Sequence, residues 1–344
     1  MIKASIIGAS GYTGVELLKI FSLHDQVNVM HLVSPNNVGK KVTDLYSGMH
    51  DYKDYTFSAL DYDLIAADSD VVFCAFPHAA SAEAAAEFIA RGVKVIDLSA
   101  DYRYDNIQTY EKVYKVTHPH PELKKVYGIT ELFREDIKVA NLIANAGCYT
   151  TASIMPLYPL IQMGLIDNNN IIINASSGVT GAGRKATLAG SYTETNENYS
   201  AYAIGTHRHT SEIEEKLSVA AGSDIIIQFT PHLLPVNRGI LTTICTTPLK
   251  GVTEKDIKSA YNKYYQSEQF VILGEDGDLP ELKQVRGSNY IKIGYVMDTR
   301  TGRLIIISAI DNLIKGASGQ AVQNMNVMFG IAENIGLKSQ PMHI

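Results

Sequence analysis

The chain has 344 residues, of which 46% are hydrophobic and 19% are charged, and its formal net charge is −6. This length suits two domains, and the composition can build packed cores. Membrane-spanning proteins are excluded because no apolar run reaches the ~20 residues that cross a bilayer. The negative charge argues against a nucleic-acid partner, because such binders cluster Lys and Arg. We therefore expect a soluble globular protein.

The chain begins with a strand, a glycine turn and a helix. Residues 3–7 form an apolar run, and apolar residues from Val15 onward recur at helical spacing. The start lacks the features of a signal peptide, so the cytoplasm is the expected location. The spacing of the turn is Gly-x-x-Gly-x-x-Gly, so an ordinary turn is the alternative, but a strand before it and a helix after it favour a dinucleotide loop. The predicted loop residues are Gly8, Ser10, Gly11, Tyr12, Thr13 and Gly14.

The second strand, at 27–33, ends at Ser34. An NAD site usually has an acidic residue there, which would repel the 2′-phosphate of NADP. Ser34 can donate a hydrogen bond instead, and Lys40 and Lys41 follow a few residues later. The sequence therefore favours NADP(H), with solvated loop lysines as the alternative.

Further buried strands are predicted at 70–77 and 94–99, separated by an Ala-rich helix. Alternating strands and helices predict a parallel, doubly wound sheet, whose ligands lie beyond the carboxyl ends of its strands. This places Pro77 and Ser99 near the cofactor or substrate. Arg103 is the candidate clamp for a carboxylate or phosphate, with an ion pair to a neighbouring aspartate as the alternative. Cys74, within an apolar strand, is expected in the core.

Cys148 follows a small-residue segment at a predicted helix start. The three cysteines, which include Cys245, are far apart and lack Cys-x-x-Cys or Cys/His ligand spacing, so neither a disulfide framework nor a zinc site is expected. A helix N-terminus favours the thiolate, which is the nucleophilic form, although lone buried cysteines are usually structural. Pro156 and Pro159 predict a short helix followed by an irregular turn.

Two later segments carry groups that suit an anionic substrate. The small-residue stretch 176–185 is rich in backbone donors and ends in two cations. His207 and His209 flank Arg208 before a helix predicted from Ile213. One histidine can act as general acid or base while the arginine binds an anion. The alternative for a His-x-His pair is a metal site, but no further ligand cluster is evident, so we expect no metal.

Six motifs together resemble the N-acetyl-γ-glutamyl-phosphate reductases, which are related to the aspartate-semialdehyde dehydrogenases. The motifs are GASGYTG at 8–14, DLSADYR at 97–103, AGCYTT at 146–151, SGVTGAGRK at 177–185, GTHRH at 205–209 and DNLIKGASGQAVQNMN at 311–326. The chain departs from the family at Ala146 and Thr150, where proline is usual, and at 129–131, where Ile-Thr-Glu replaces Leu-Pro-Glu. These changes affect loop rigidity and remove no reactive group.

The resemblance implies an α/β fold with a Rossmann-type doubly wound parallel sheet. A second α+β domain of the glyceraldehyde-3-phosphate dehydrogenase C-terminal type is implied beside it. The expected NADP-binding domain is 1–147, completed by a C-terminal helix over 312–344, and the expected catalytic domain is 148–311. A homodimer or homotetramer is implied.

The resemblance also implies the chemistry of an NADP-dependent acyl-phosphate reductase in arginine biosynthesis. Cys148 would form a thioester, with His207 or His209 as acid/base. The implied substrate-binding residues are Arg103, Ser177, Gly178, Arg184 and Arg208. The segment 317–325 would approach the nicotinamide, and Gly181, Asn312 and Asn324 are assigned to the cofactor.

Three competing functions remain at this point. An aminoadipyl-phosphate reductase of lysine biosynthesis is disfavoured by the 177–185 segment. An aspartate-semialdehyde dehydrogenase is disfavoured by the His207-Arg208-His209 cluster, which belongs to the glutamyl group. A catalytically silent NADP-binding protein is disfavoured because Cys148 and both histidines are intact.

Overall fold

The computed structural model describes residues 1–275 and 277–343, so Ile344, the last residue of the expected C-terminal segment, lies outside the described residues. The chain forms two compact units, of which the first contains Met1–Ala146 and Ala317–Lys338. The second contains Gly147–Gly316 and the residues from Ser339 onward.

These units divide the chain differently from the sequence-based boundaries. Gly147, residues 312–316 and the residues from Ser339 belong to the second unit. Hydrogen bonds tie two of these segments to other residues of the second unit. The Gly239 N–H donates to Asn312 Oδ1 at 2.7 Å, and the Met342 N–H donates to the Arg286 carbonyl at 2.7 Å.

The first unit alternates strands and helices, as the sequence predicts. Its elements are β1 (Ile2–Ile7), α1 (Tyr12–Phe21), β2 (Val27–Val33), α2 (Val42–Leu45), α3 (Tyr62–Asp68), β3 (Val71–Cys74), α4 (Ser81–Ala90), β4 (Lys94–Asp97), α5 (Ile107–Tyr114), β5 (Val126–Gly128), α6 (Thr130–Val139) and β6 (Leu142–Asn145).

These six strands form one parallel sheet in the order β2-β1-β3-β4-β6-β5. Both faces of a doubly wound sheet are covered, which explains why every residue of β3 is buried. On one face Val72, Cys74 and Val95 pack with Phe88 of α4. Burial raises the pKa of the Cys74 thiol well above its usual value. The prediction that Cys74 is a core residue is confirmed.

The second unit carries a mixed sheet and a group of helices. In chain order its elements are α7 (Cys148–Gln162), β7 (Ile172–Gly178), α8 (Tyr192–Thr195), β8 (Ser200–Ala201), α9 (His209–Ala221), β9 (Gln228–Leu234), β10 (Ile240–Thr246), α10 (Glu254–Tyr265), β11 (Val271–Leu273), β12 (Ile291–Asp298) and β13 (Arg303–Ile310).

Its seven strands lie in the order β11-β12-β13-β10-β7-β9-β8. Pairing is antiparallel except between β11 and β12 and between β7 and β9. Along β10, buried and partly buried residues alternate, which is the period expected when one face of a sheet is covered. Helix α7 packs on that face. With the parallel first sheet, this confirms the predicted fold class.

The C-terminal segment returns to the first unit as a short helix, α11 (Gly319–Met328), preceded by a π-helical turn at Ile314–Ser318. The expected helix across 312–344 is therefore wrong in length. Gly330 and Gly336 follow with φ of +68° and +76°, a backbone conformation that does not continue a right-handed helix. No helix of the described residues has the length and apolar character needed to cross a membrane.

Helix α7 continues through both of its prolines, so the predicted short helix with an irregular turn is wrong. A proline leaves the carbonyl four residues earlier without its helical donor. Here those carbonyls are Ala152 and Met155. Ser308 Oγ donates to the Ala152 carbonyl at 2.6 Å, and the Tyr265 hydroxyl donates to the Met155 carbonyl at 2.6 Å. Hydroxyl groups from other elements thus replace the missing N–H donors.

We expect the substitution Tyr265→Phe to lower the free energy of unfolding by about 1–3 kcal/mol, because it leaves a buried carbonyl without a partner. Denaturant unfolding of the full-length protein measures the change. Tyr264→Phe on the same helix is the matched control, since Tyr264 is only partly buried and a change within about 0.5 kcal/mol is expected there. Equal effects of the two substitutions would contradict this account.

Candidate active site

The glycine turn after β1 fits a dinucleotide. Gly8 has a φ of +89°, and a Cβ there would lie 2.4 Å from the Ala75 carbonyl oxygen, so only glycine suits the position. Gly11 is the N-cap of α1, and no side chain caps this helix. Tyr12, Thr13 and Gly14 form its first turn. The free N–H groups and positive dipole end of α1 are therefore available to a pyrophosphate.

Two hydroxyls meet where β2 ends. Ser10 Oγ and Ser34 Oγ lie 2.7 Å apart, and Asn37 Nδ2 donates to Ser34 Oγ at 3.0 Å. Lys40 is exposed in the same loop. The roles of Ser34 and Lys40 at the cofactor stay predictions. Sequence reasoning did not single out Asn37, and the only indication in the sequence was its position in the turn after β2.

A network of carboxylates orders the loops after β3 and β4. Asp101 accepts the backbone N–H groups of Ala79, Ser81 and Ala82 at 2.8–3.1 Å, which caps the start of α4 just after Pro77. Ser99 Oγ donates to Asp97 at 2.7 Å. Burial, followed by the nearby Asp101 charge, raises the pKa of Asp97 to about 6. Ser99 lies in the loop after β4, where the sequence places it, and its hydrogen bond to Asp97 orders that loop.

Arg103 is buried, and its guanidinium holds two neighbouring loops of the first unit. It donates to the Asn145 carbonyl at 2.8 Å and to the Leu98 carbonyl at 2.9 Å. Since Asn145 ends β6, two residues before Gly147, these bonds fix the segment that leads to Cys148. Binding of a substrate anion by Arg103 stays a prediction.

Asn324 has a similar structural environment. It is fully buried in α11 and donates to the Gly128 carbonyl at 3.1 Å and to Asn145 Oδ1 at 3.0 Å. It also accepts from the Thr130 hydroxyl at 2.6 Å. Both ends of its amide are therefore used within the first unit. The structure assigns Asn324 to packing α11 against the ends of β5 and β6, a long-range role that the motif alone does not reveal.

In the second unit, Cys148 is the first residue of α7 and Gly147 is its N-cap. The predicted helix start is confirmed. Gly316 lies against Cys148, because a Cβ at position 316 would be 2.7 Å from Cys148 Cβ. Sequence reasoning gave Gly316 no separate role. The only indication in the sequence was that Gly316 lies within the 311–326 motif.

Glu212 is a further residue that sequence reasoning missed. It is fully buried in the first turn of α9, and its Oε1 accepts the Gly147 N–H at 3.2 Å. The Thr150 hydroxyl lies 3.0 Å from the same oxygen and 2.6 Å from the Gly147 carbonyl. Proline, the usual residue of the resembled family at position 150, could form neither contact. Glu212 and Thr150 therefore fix the backbone immediately before Cys148.

The two histidines come together beside the residue that follows Cys148. The rings of His207 and His209 have centroids 5.0 Å apart, and those of Tyr149 and His207 are 5.5 Å apart. Tyr202 and Phe229 complete the aromatic surroundings of His207, at 5.6 and 5.4 Å. Burial, followed by the Arg208 charge, lowers the pKa of His207 to about 4, although Glu212 opposes the shift.

Helix α9 begins earlier than the sequence predicts, at His209 instead of Ile213. His209 is therefore a first-turn residue, and Arg208 is the exposed N-cap. The apolar residues recur at helical spacing only from Ile213 onward, which explains why the sequence predicts a helix start four residues too late.

The predicted anion-binding stretch is partly strand, since Ser177 and Gly178 end β7. Gly178 lies against the Arg238 backbone, and Gly181 lies beside Ser177 Oγ. Asn312 Nδ2 donates to Thr180 Oγ1 at 3.0 Å, which secures the turn after β7. Arg184 is exposed on the following loop. Within the described parts of the chain, no group of three or more His, Cys, Asp or Glu side chains is arranged to hold a metal.

Comparison with known families and proteins is consistent with this arrangement. Residues 3–140 match the family model of the semialdehyde dehydrogenase NAD binding domain, and 148–312 match that of the semialdehyde dehydrogenase dimerisation domain. Proteins named N-acetyl-gamma-glutamyl-phosphate reductase are similar over nearly the whole chain. That of Alkaliphilus metalliredigens is 47% identical over 344 residues, covering 99% of each chain. That of Halothermothrix orenii is 48% identical over 341 residues, covering 98% of each.

Solved structures of aspartate semialdehyde dehydrogenases share the fold. Enzyme II of Vibrio cholerae, complexed with ASA, has a TM-score of 0.71 at 17% identity, covering 96% of this chain and 98% of that one. The Candida albicans enzyme with NADP has a TM-score of 0.72 at 17% identity, covering 97% and 100%. At such low identity the likeness shows the fold alone.

Proposed function

Because the chain belongs to the N-acetyl-gamma-glutamyl-phosphate reductase family, we propose that it reduces N-acetyl-γ-glutamyl phosphate with NADPH. The products are N-acetylglutamate 5-semialdehyde and phosphate, in the third step of arginine biosynthesis from glutamate. The observation that carries this proposal is Cys148 at the start of α7, followed by Tyr149, whose ring packs against His207 and His209.

Covalent catalysis suits these residues. The Cys148 thiolate attacks the acyl-phosphate carbonyl, the sulfur–carbon bond forms, and the carbon–oxygen bond to phosphate breaks to leave a thioester. A nicotinamide dinucleotide held by the glycine turn after β1 would, when bound, supply the hydride needed to reduce this thioester. The carbon–sulfur bond then breaks, releasing the semialdehyde and restoring the cysteine. The N-terminus of α7 stabilises the thiolate both before attack and on departure.

Anionic groups of the substrate require cationic partners and hydrogen-bond donors. Arg184 and Arg208 are exposed on loops of the second unit and suit the phosphate or the substrate carboxylate. Ser177 and Gly178, at the end of β7, are proposed to support that binding. Arg103 donates hydrogen bonds to the Leu98 and Asn145 carbonyls. We therefore propose that its main role is to position the 98–103 and 145–147 segments.

The residues of the first unit fit a nicotinamide dinucleotide. The Gly8 turn and the uncapped start of α1 suit the pyrophosphate. Preference for NADP(H) over NAD(H) is supported by Ser10, Ser34 and Asn37, which present neutral hydrogen-bonding groups where a carboxylate would repel the 2′-phosphate. Lys40 supplies a positive charge in the same loop.

We also propose that the protein self-associates through its second unit. Residues paired across four strands, Val296, Ile305, Cys245 and Ile172, form a row on the sheet. Val296 and Ile172 are exposed apolar residues, and the family model that matches this region is described as a dimerisation domain. We expect a homodimer or homotetramer of a cytoplasmic enzyme. Sedimentation of the full-length protein would show a monomer if this expectation were wrong.

The direct test measures NADP⁺ reduction with N-acetylglutamate semialdehyde and phosphate. We expect turnover that depends on phosphate and falls by more than about 10³-fold in Cys148→Ser, because the serine hydroxyl is a far weaker nucleophile than a thiolate. NADPH binding by the variant is the control for folding. Phosphate-independent turnover, or an active serine variant, would exclude the thioester route.

We expect Ser34→Asp to lower kcat/KM for NADP(H) at least about tenfold relative to NAD(H), since a like-charge contact at a partly buried site costs more than about 1.4 kcal/mol. Steady-state kinetics with both cofactors measures the ratio. Ser34→Asn is the matched control because its side chain has nearly the same size without the charge. An unchanged ratio in the aspartate variant would place the 2′-phosphate elsewhere.

A further inference from the structure

We propose that Asp311 and Arg238 are positioning residues for Cys148. Their ion pair holds the turn that places Gly316 against the cysteine, and this contact determines the direction of the Cys148 sulfur. The inference rests on the proposed function, because it concerns the proposed nucleophile. It adds two residues to which sequence reasoning assigned no separate role.

Gly316 limits the space on one side of Cys148. A Cβ at position 316 would lie 2.7 Å from Cys148 Cβ and 3.1 Å from Cys148 Cα. Only glycine therefore lets the two segments approach so closely. Because side chains adopt a few staggered rotamers, a backbone packed against Cβ excludes those that would point the sulfur towards it. The position of Gly316 thus selects the direction of the Cys148 sulfur.

Asp311 holds the turn that carries Gly316 at both of its ends. The Asp311 carbonyl accepts the Gly316 N–H at 2.9 Å, a bond that spans five residues as in a π-helix. Asp311 Oδ1 accepts the N–H groups of Leu313 at 2.9 Å and Ile314 at 3.2 Å. Since main chain and side chain of one residue hold the whole turn, a shift of the carboxylate moves Gly316 as well.

The Asp311 carboxylate is itself held in one orientation. It is fully buried, so its charge needs partners. Arg238 Nη2 donates to Oδ1 at 3.1 Å, and Arg238 Nε lies 2.9 Å from Oδ2. The Gly287 N–H donates to the same Oδ2 at 2.7 Å. A two-pronged contact between arginine and carboxylate fixes geometry as well as charge. Two other segments of the second unit therefore set the position of Asp311.

The next residue joins the same turn to the ends of the strands. Asn312 Oδ1 accepts the Gly239 N–H at 2.7 Å, and Asn312 Nδ2 donates to Thr180 Oγ1 at 3.0 Å. Arg238 and Gly239 are consecutive, so two neighbouring residues of one segment contact Asp311 and Asn312. Thr180 lies in the turn after β7, which follows the residues proposed to bind the substrate anion. The direction of the sulfur and the position of that turn thus depend on the same contacts.

The test measures the reactivity of the Cys148 thiol in the full-length protein. Iodoacetamide alkylates the protein near neutral pH, and mass spectrometry of the peptide that contains Cys148 separates its modification from that of Cys74 and Cys245. We expect Gly316→Ala and Asp311→Asn to lower the rate constant of Cys148 alkylation at least about fivefold, because a displaced sulfur loses the thiolate stabilisation of the α7 N-terminus.

The Asp311→Asn variant acts on the carboxylate alone. Asparagine keeps one acceptor oxygen but turns its NH2 group towards the donors of Arg238 or Gly287, so the turn loses an orienting contact. Arg238→Met removes the ion pair from the other side, while Arg238→Lys keeps the charge without the fork. We expect the lysine variant to retain more Cys148 reactivity than the methionine variant. These variants and Gly316→Ala decide the test if Asp311→Asn does not fold.

Two matched controls lie in the same unit. Asp278→Asn breaks the contact of Asp278 with the buried Lys292, at 2.6 Å, and leaves the 311–316 turn intact. Gly294→Ala introduces a Cβ 2.9 Å from Pro280 Cδ, a conflict comparable to that at Gly316. We expect both controls to keep the Cys148 alkylation rate constant within about twofold of the wild type, even where they lower stability. Circular dichroism confirms that each compared variant is folded at the assay temperature.

Turnover provides the second readout. In NADP⁺ reduction we expect kcat to fall with the alkylation rate constant, while KM for NADP⁺ changes by less than about twofold. Unchanged or raised Cys148 reactivity in Gly316→Ala and the Asp311 and Arg238 variants, or an equal loss in both controls, would overturn the proposal. Alkylation needs no substrate. If the wild type shows no turnover but the alkylation pattern is as expected, the proposed function is wrong and the inference about Asp311 and Arg238 stands.

Discussion

The buried carboxylate of Glu212 is the constraint on which the site of the second unit depends. The start of a helix leaves backbone N–H groups without partners, and a buried carboxylate is costly unless it is hydrogen bonded. The Gly147 N–H and the Thr150 hydroxyl both contact Glu212 Oε1, so the N–H gains an acceptor and the carboxylate gains hydrogen bonds. The backbone before Cys148 is thereby tied to α9, the helix whose first residue is His209. Cys148, the proposed nucleophile, and His209 thus depend on the same buried carboxylate.

The same helix shows how the rest of the second unit accommodates its sequence. Two prolines would normally end α7, yet Ser308 from β13 and Tyr265 from α10 provide the missing donors. Their hydroxyls let a long apolar helix lie fully packed against the sheet without unpaired carbonyls. Rigidity at the buried end of α7 supports a defined position for its first residue. Catalytic geometry and core packing are therefore linked along one element.

Local patterns predicted what depends on local interactions. The glycine turn, the alternating strands and helices of the first unit and the start of α7 at Cys148 all follow from periodicity and backbone preference. The length of α7 and the roles of Glu212 and Gly316 depend on contacts between residues far apart in sequence, which periodicity does not encode. Asn324 illustrates the limit: its hydrogen-bond partners Gly128, Thr130 and Asn145 lie about 180–200 residues earlier, and the motif that contains it does not indicate them.

The discontinuity of the first unit has a consequence for synthesis. Helix α11 packs against α6 and against β4, β5 and β6, but it emerges only after the whole of residues 147–316. A ribosome therefore releases the nucleotide-binding sheet with that surface uncovered and with Asn145 lacking its Asn324 partner. A chain truncated before Ala317 would keep every strand of this sheet and still lack part of its core. The first unit is therefore completed only after the whole second-unit segment that begins at Gly147 and contains Cys148 has been made.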